Sequence, residues 1–280
     1  MANIGFLAAL GAAVAWGTWM VPFKKSGSSN LIQFQALIAV SIGFSGLIIS
    51  LILGFPLSFN IYGLVSGALW AVASAISLTA IVDLGLSKAV PLVSSLVILS
   101  YFLWGVLFFN ELPEGLMLGF LGIGLMVAGV VLVSSTGNMA SRNVKKGLLA
   151  GVLAGLIWGS QLVPGKLGNV ATGDFFFPVC LGILITGLLI ALIMRVKFQK
   201  EAVGASLVCG IIWNIGNLLS LISLSLIGLS KMGPVSQTAS LVAVLWGLFY
   251  FKEITRAKQK VQVLIGALIL LAGIITLGFA

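Results

Sequence analysis

A stretch of ten residues near the start of the chain returns in its second half, and this repeat constrains the fold more than any other feature. The stretch WGTWMVPFKK begins at Trp16, and the stretch WGSQLVPGK begins 142 residues later, at Trp158. Each copy lies late in a hydrophobic run and places Pro and Lys at the end of that run. We therefore expect the chain to contain the same structural unit twice.

The composition indicates a membrane protein. The 280 residues are 60% hydrophobic and only 8% charged, whereas a soluble domain carries roughly 25% charged residues. A membrane helix needs about 20 apolar residues, and ten such stretches use most of the chain. Numbered span 1 to span 10, they cover residues 3–22, 32–53, 61–82, 89–109, 115–134, 147–165, 175–194, 203–227, 233–250 and 261–279. The predicted fold class is an all-α polytopic membrane protein with ten transmembrane helices and no soluble catalytic domain.

The repeat extends over all ten spans. GLSKAVP, from Gly85, leads into span 4, and GLSKMGP, from Gly228, leads into span 9; WGVLFFNE ends span 4 and WGLFYFKE ends span 9. Each half contains five spans, so the second half must enter the membrane from the opposite side. The sequence predicts two inverted repeats, residues 1–134 and 147–280, joined by a linker at 135–146, with a solute site near the midplane between them.

Small residues recur every fourth position in spans 1 and 6, which predicts close approach of another helix backbone. We expect the stripes to serve tight helix packing, and as an indirect consequence to form a seam of spans 1 and 6 about which the two halves rock. The residues are Gly5, Ala9, Ala13 and Gly17 in span 1, and Gly147, Gly151, Gly155 and Gly159 in span 6.

The positive charges sort by loop and predict the orientation. Of the 15 Lys and Arg residues, all but Lys166 and Lys231 flank loops 1–2, 3–4, 5–6, 7–8 and 9–10. The positive-inside rule places these loops in the cytoplasm and both termini outside a plasma membrane. The net charge of +9 is explained by this topology, so lipid is an expected partner and nucleic acid is not. The oligomeric state is left open between monomer and homodimer.

The sequence does not support an enzyme. There is no His, and the two cysteines, Cys180 and Cys209, lie within apolar spans. We therefore predict no catalytic residue, no metal site and no cofactor. The six acidic residues lie at or near span ends, whereas a proton-coupled carrier usually has an acid in its pathway. Weak or absent proton coupling is expected, with Asp83 and Asp174 as the least implausible exceptions.

These features resemble the ten-helix branch of the drug/metabolite transporter superfamily, which has two EamA-type repeats. The resemblance rests on Pro91 and Pro234 at the starts of spans 4 and 9, Glu111 and Glu253 at their ends, and glycines in spans 5 and 10. Within that superfamily, VPFKK at the end of span 1 is similar to the prokaryotic glucose/ribose and rhamnose porters. The resemblance implies a secondary carrier without ATPase.

Four intramembrane amides are candidate solute ligands: Asn214, Asn217, Gln161 and Gln237. An amide both donates and accepts hydrogen bonds, which suits the hydroxyl groups of a neutral polyol. The alternative is interhelical hydrogen bonding, which contributes only about 0.6–2 kcal/mol per contact.

Six of the seven Trp residues form pairs under the repeat. Trp16 and Trp158, and likewise Trp70 and Trp213, are candidates for walls of a solute cavity, with core packing as the alternative. Trp104 and Trp246 lie closer to span ends, which favours anchoring at the membrane interface. Lys24, Lys166, Lys88 and Lys231 are candidate gate or mouth residues, with flanking charge as the alternative.

The predicted function is a secondary active or facilitative carrier for a small neutral polar solute, with a sugar as the predicted solute, working by alternating access between the repeats. The alternative is an exporter of metabolites, such as amino acids or nucleosides, or of drugs. An intramembrane enzyme is a third hypothesis, which the absence of an acid–base or metal cluster in the sequence disfavours.

Overall fold

A computed structural model describes residues 2–27, 30–84, 86–112, 115–134, 143–196, 200, 203–252 and 256–280, and within them it contains helices and no strand. Ten helical spans are long and apolar enough to cross a membrane, which confirms the predicted fold class. Their bounds are Ala2–Lys25, Leu31–Leu53, Ile61–Leu84, Lys88–Phe108, Leu116–Val133, Val144–Leu167, Thr172–Ile193, Val203–Ile227, Leu229–Phe249 and Ala257–Gly278. Span 6 starts inside the predicted linker, of which residues 135–142 lie outside the described residues.

Spans 1 and 6 are each broken near their ends, where the sequence analysis predicted continuous helices. In both spans a proline is the second residue of the short helix that follows the break, a position where its missing N–H costs no hydrogen bond. Within an uninterrupted helix the same proline would clash with the carbonyl four residues earlier. The paired segments are Ala2–Thr18 with Val21–Lys25, and Val144–Trp158 with Val163–Leu167.

Spans 4 and 9 also depart from a simple helix. Span 9 consists of Leu229–Ser236 and Ala239–Phe249, with a turn at Gln237 and Thr238 between them. The helix Leu86–Leu103 of span 4 continues as a π-helix over Trp104–Phe108. Broken helices and π-helical turns are found preferentially at functional sites. The four interrupted spans therefore mark the region in which a site is expected.

The small-residue stripes of spans 1 and 6 pack against different partners. A Cβ atom on Gly17 would lie 2.4 Å from Cβ of Val242 in span 9, and one on Gly159 would lie 2.4 Å from Cβ of Ser100 in span 4. At the other end of span 1, Gly5 lies against Ile227 of span 8. The prediction of one common seam is therefore wrong, because each stripe forms its own seam with helices of the opposite half.

The two halves interleave as a result. Span 1 packs on spans 8 and 9, span 6 packs on spans 3 and 4, span 2 packs on span 7, and span 5 packs on span 10. The largest core cluster draws side chains from spans 1–4 and 6–9, and a second cluster surrounds spans 5 and 10. The first cluster contains the functional candidates.

Because the chain crosses ten times, its two ends lie on the same face, which we call the terminal face. This face also carries loops 2–3, 4–5, 6–7 and 8–9. The opposite face carries the basic loops and is called the basic face.

Candidate functional site

Four of the predicted tryptophans form a continuous row. Trp70 and Trp213 are buried in the largest core cluster, and Trp16 and Trp158 are partly buried and pack against it. Trp16 of span 1 stacks on Trp213 of span 8, with ring centroids 6.1 Å apart. Trp213 contacts Trp70 of span 3 at 4.6 Å, and Trp70 lies 6.4 Å from Trp158 of span 6. Each such aromatic pair adds about 0.5–1.5 kcal/mol beyond its buried area. This tryptophan row joins both halves through two pairs of repeat-equivalent residues.

The two ends of the tryptophan row differ in hydrogen bonding. The Nε1–H group of Trp16 donates to the main-chain carbonyl of Trp213 at 3.2 Å. The equivalent Nε1–H group of Trp158 is buried and has no acceptor among the described residues. A buried donor without an acceptor costs about 1–3 kcal/mol, and an oxygen atom of a bound molecule would remove that cost.

Gln161 lies three residues beyond Trp158, in the break of span 6 and on the terminal-face side of the row. Its Nε2 atom donates to the hydroxyl of Tyr101 in span 4 at 3.1 Å, and both side chains are buried. Sequence reasoning identified Gln161 but missed Tyr101, whose position three residues before Trp104 of the repeated WG motif was the available signal. The pair offers both hydrogen-bond donors and acceptors next to the tryptophan row.

Asn214 and Asn217 follow Trp213 in span 8 and are deeply buried. Nδ2 of Asn214 donates to the carbonyl of Ile42 at 3.2 Å and to the hydroxyl of Ser45 at 3.0 Å. Its Oδ1 atom accepts from the thiol of Cys180 at 3.2 Å, and Nδ2 of Asn217 lies 3.4 Å from the same oxygen. The amide of Asn214 thus links spans 2, 7 and 8 directly behind Trp213.

Two further glutamines occupy different positions. Gln237 is half-buried at the break in span 9. Gln35 of span 2, which was not predicted as a site residue, is 4% exposed and accepts from the hydroxyl of Ser74 at 2.7 Å, while its Nε2 atom is buried without a partner among the described residues. Ser74 lies one turn from Trp70, so Gln35 stands close to the row on the basic-face side.

At the terminal face, Glu111 ties together the ends of three spans. Its carboxylate accepts from the backbone N–H groups of Leu229 at 2.8 Å and Ser230 at 2.6 Å, at the start of span 9. It also forms an ion pair with Lys166 of span 6, whose Nζ atom lies 4.7 Å from the ring centroid of Phe109. We call Glu111, Lys166 and the start of span 9 the terminal latch.

Two glycines make the terminal latch possible. Gly228 has a φ of 76°, and a Cβ atom there would lie 2.7 Å from the carboxyl carbon of Glu111. A Cβ atom on Gly105 would lie 2.5 Å from Oε2 of Glu111. Gly105 belongs to the repeated WG motif, and Gly228 belongs to the repeated GLSK motif. The two motifs come from opposite halves and meet around the carboxylate of Glu111, where only a residue without a side chain fits.

The basic face carries repeat-equivalent contacts. Nζ of Lys24 lies 4.5 Å from the ring centroid of Phe251. The repeat-equivalent distance, from Nζ of Lys166 to the ring centroid of Phe109, is 4.7 Å. The indole of Trp246 donates to Thr18 Oγ1, and that of Trp104 donates to Ser160 Oγ, both at 2.9 Å. These indole N–H groups therefore connect helices, and anchoring of the half-buried rings at the membrane interface stays a prediction.

The remaining predicted mouth residues lie near the first turns of spans 4 and 9. Lys88 is exposed in span 4, and Lys231 is half-buried in span 9, directly after the terminal latch. Glu253, the repeat equivalent of Glu111, lies outside the described residues, and so does the side chain of Pro91.

Two surface cavities open on opposite faces. A cavity of about 390 Å³ at the terminal face is lined by Lys166, Asn169, Phe175, Leu221 and neighbouring residues. A cavity of about 490 Å³ at the basic face contains Asp83, whose carboxylate lies 3.9 Å from Nζ of Lys146. Asp174 lies in the first turn of span 7. Within the described ranges, no three His, Cys, Asp or Glu side chains group as a metal site.

Comparison with known proteins gives a consistent result. A family profile described as "Sugar transport protein" matches residues 7–280. "Glucose uptake protein GlcU" of Bacillus subtilis (strain 168) is 28% identical over 98% of both chains. "Probable glucose uptake protein GlcU" of Staphylococcus epidermidis is 28% identical over 99% of both chains. A solved structure described only as "Crystal structure of protein" superposes with a TM-score of 0.68 at 17% identity, over 97% of this chain and 95% of that one. This last likeness supports the fold alone.

Proposed function

The chain belongs to the sugar transport protein family, and from that premise we propose that it carries glucose or a closely related monosaccharide into the cell. It is a multi-pass plasma-membrane protein of a transporter family and not an enzyme. The names of its GlcU relatives point to glucose and to uptake. The observation that carries the proposal is the tryptophan row, whose two end residues lie next to the breaks in spans 1 and 6 and which has an unused donor at one end.

The row suits a pyranose ring. The faces of Trp70 and Trp158 would pack against the C–H face of the sugar, and Trp16 and Trp213 would extend this wall. The Nε1–H group of Trp158 would donate to a sugar hydroxyl. The Gln161–Tyr101 pair would then donate to and accept from neighbouring hydroxyls, with Gln237 at the break in span 9 as a further polar contact.

Asn214 and Asn217 have an indirect role in this proposal. The hydrogen bonds of Asn214 to spans 2 and 7 would have to break before its amide could reach a solute. We therefore assign the two asparagines to holding spans 2, 7 and 8 together.

The chain is further proposed to consist of inverted repeats of the drug/metabolite transporter superfamily, with 1–134 and 147–280 as the two units. The support comes from repeat-equivalent contacts on opposite faces: the indole–hydroxyl pairs of Trp104 and Trp246, and the Lys–Phe pairs of Lys24 and Lys166. Alternating access would then involve two helix groups, span 1 with 8 and 9, and span 6 with 3 and 4, each built from both halves.

Lys166 and Lys24 are the proposed gate residues at the terminal and basic faces. Each follows the proline of a broken span and lies over a phenylalanine of another span. Lys231 and Lys88, in the first turns of spans 9 and 4, would add positive charge at the same mouths. Opening either mouth requires the short helix at the break to move, and a break allows that movement without unwinding the span.

We propose that both termini are extracytoplasmic, so that the terminal face is outside. The residue Leu57, which is 41% exposed in loop 2–3, offers a test. An impermeant thiol reagent applied to intact cells should label Leu57→Cys, because the new thiol would face the outside. The two native cysteines are fully buried and should not contribute to the labelling. Labelling of that thiol only after the cells are opened would reverse the orientation.

Counterflow in proteoliposomes tests the substrate class. Vesicles are loaded with one unlabelled sugar, amino acid or nucleoside, and entry of the labelled counterpart is followed without an ion gradient. The proposal predicts saturable exchange of glucose or a related monosaccharide. Exchange of an amino acid or a nucleoside without sugar exchange would refute it.

A further inference from the structure

The ends of spans 1 and 6 are repeat equivalents, but they pack differently at their two faces. Near the break in span 1, the basic face is filled by aromatic rings: Phe23 lies 4.2 Å from Phe34, and Trp19 lies 5.6 Å from Phe34, between ring centroids. The repeat equivalents of Phe23 and Trp19 are Gly165 and Gln161. Span 6 therefore lacks two large rings at the place where span 1 has them.

Gly165 packs instead against the ring of Phe175 in span 7, since a Cβ atom on Gly165 would lie 2.4 Å from Cζ of that ring. Both residues line the cavity of about 390 Å³. This volume lies at the lower end of the range of about 300–1,000 Å³ that is typical of small-molecule sites, as a monosaccharide requires. Phe175, Leu221 and Leu224 supply an apolar floor, and Lys166 and Asn169 supply polar groups at the rim. An apolar floor with a polar rim fits the two faces of a pyranose ring.

The cavity lies beyond the tryptophan row on the terminal-face side. Leu221 lies two helical turns beyond Trp213 in span 8 and belongs to the same core cluster. Lys166 connects the rim to the terminal latch through its ion pair with Glu111. A molecule in the cavity would therefore contact the groups that hold spans 4, 6 and 9 together at this face.

We propose that the cavity is a docking site for a monosaccharide, occupied before the sugar reaches the tryptophan row. This inference rests on the proposed function. A sugar hydroxyl at Nζ of Lys166 competes with the carboxylate of Glu111, so docking loosens the terminal latch and admits the sugar.

A cysteine at the exposed cavity residue Ser225 tests the docking site. Ser225→Cys is labelled with an impermeant thiol reagent in proteoliposomes, with and without glucose. At ten times its half-protecting concentration, glucose should slow labelling about tenfold, because the site is then free only about a tenth of the time. Leu57→Cys, on the same face but outside the cavity, is the matched control and should react at an unchanged rate.

Two additional variants separate docking from binding at the tryptophan row. In Ser225→Cys combined with Gln161→Ala, exchange should fall while glucose still protects the thiol. Ser225→Trp, which fills the cavity, should raise the glucose concentration needed for half-maximal exchange. Protection that disappears with Gln161→Ala, or an unchanged concentration dependence in Ser225→Trp, overturns the docking site.

The exchange assay on the wild-type protein distinguishes failure of the docking site from failure of the proposed glucose transport. If the wild-type protein exchanges glucose but glucose protects neither thiol, the docking site is refuted and the proposed function stands. If the wild-type protein exchanges no sugar, both are refuted.

Discussion

Replacing Glu111 by Gln should weaken the terminal latch by an amount that the structure allows us to work out. The carboxylate accepts two backbone N–H groups and pairs with Lys166, and its side chain is only 11% exposed. A glutamine retains one acceptor oxygen, but its NH₂ group faces the second backbone N–H, and Lys166 loses its counter-charge. Losing one charge-assisted hydrogen bond costs about 1.5–3 kcal/mol.

The loss of the ion pair adds to that cost. Removing one partner of a buried pair costs about 3–5 kcal/mol, but Lys166 is 24% exposed and recovers part of its hydration. We expect Glu111→Gln to lower the free energy of unfolding by about 2–4 kcal/mol. Unfolding in mixed micelles with increasing dodecyl sulfate, followed by tryptophan fluorescence, measures this change.

Two comparisons test the reasoning behind this value. Asp174→Asn removes another carboxylate at the terminal face, in the first turn of span 7, and should cost less than about 1 kcal/mol. In a double-mutant cycle, Glu111→Gln and Lys166→Met should together cost less than the sum of their separate effects. A loss below about 0.5 kcal/mol in Glu111→Gln, the range of ordinary surface changes, would refute the latch.

Three other variants extend the account. Gly17→Ala places a Cβ atom 2.4 Å from Val242 and should cost about 1–3 kcal/mol of unfolding free energy, whereas Gly124→Ala, with open space around it, should cost nothing. Asn214→Ala should lower the unfolding midpoint but leave the half-saturating glucose concentration unchanged; a large change in that concentration alone would place Asn214 in the solute site. Asp83→Asn should retain glucose counterflow, and abolished exchange together with uptake driven by a pH gradient would reverse the conclusion on proton coupling.

The spans could be predicted well from the sequence because a membrane helix requires a continuous apolar segment of a fixed minimum length. About 20 apolar residues in a row are visible without any knowledge of tertiary contacts, and the observed bounds agree with the predicted ones to within a few residues. The breaks in spans 1 and 6 were missed, although Pro22 and Pro164 carried the signal. A proline at a span exit and a proline after a break look alike until the preceding backbone is seen.

The tryptophan row was partly predictable from the repeat. Pairing Trp70 with Trp213 and Trp16 with Trp158 selected four residues that the structure brings together. The different hydrogen bonding of the two end residues could not be predicted, because it depends on where the carbonyl of Trp213 points. Trp16 and Trp158 therefore occupy equivalent places in the fold and pack against equivalent tryptophans, but their N–H groups do not share a hydrogen-bond pattern.

The terminal latch lay beyond sequence reasoning for another reason. Glu111 contacts Leu229 and Ser230 in the opposite half of the chain, and no local pattern encodes such a separation. The same holds for Asn214, whose polarity suggested a ligand but whose partners, Ile42 and Ser45, are far away in sequence. An amide within a span predicts that a partner exists, but it does not predict whether that partner is a helix or a solute.

Equilibrium binding of labelled glucose to the purified protein tests the central claim most directly. Trp158→Phe keeps the ring and removes only the unpaired N–H, and Trp16→Phe is its matched control, because its N–H is already bonded to Trp213. The account predicts that Trp158→Phe weakens binding about tenfold, which corresponds to one lost hydrogen bond of about 1.4 kcal/mol, and that Trp16→Phe binds as the wild type does. Equal affinities for the two variants would contradict a sugar site at the Trp158 end of the row.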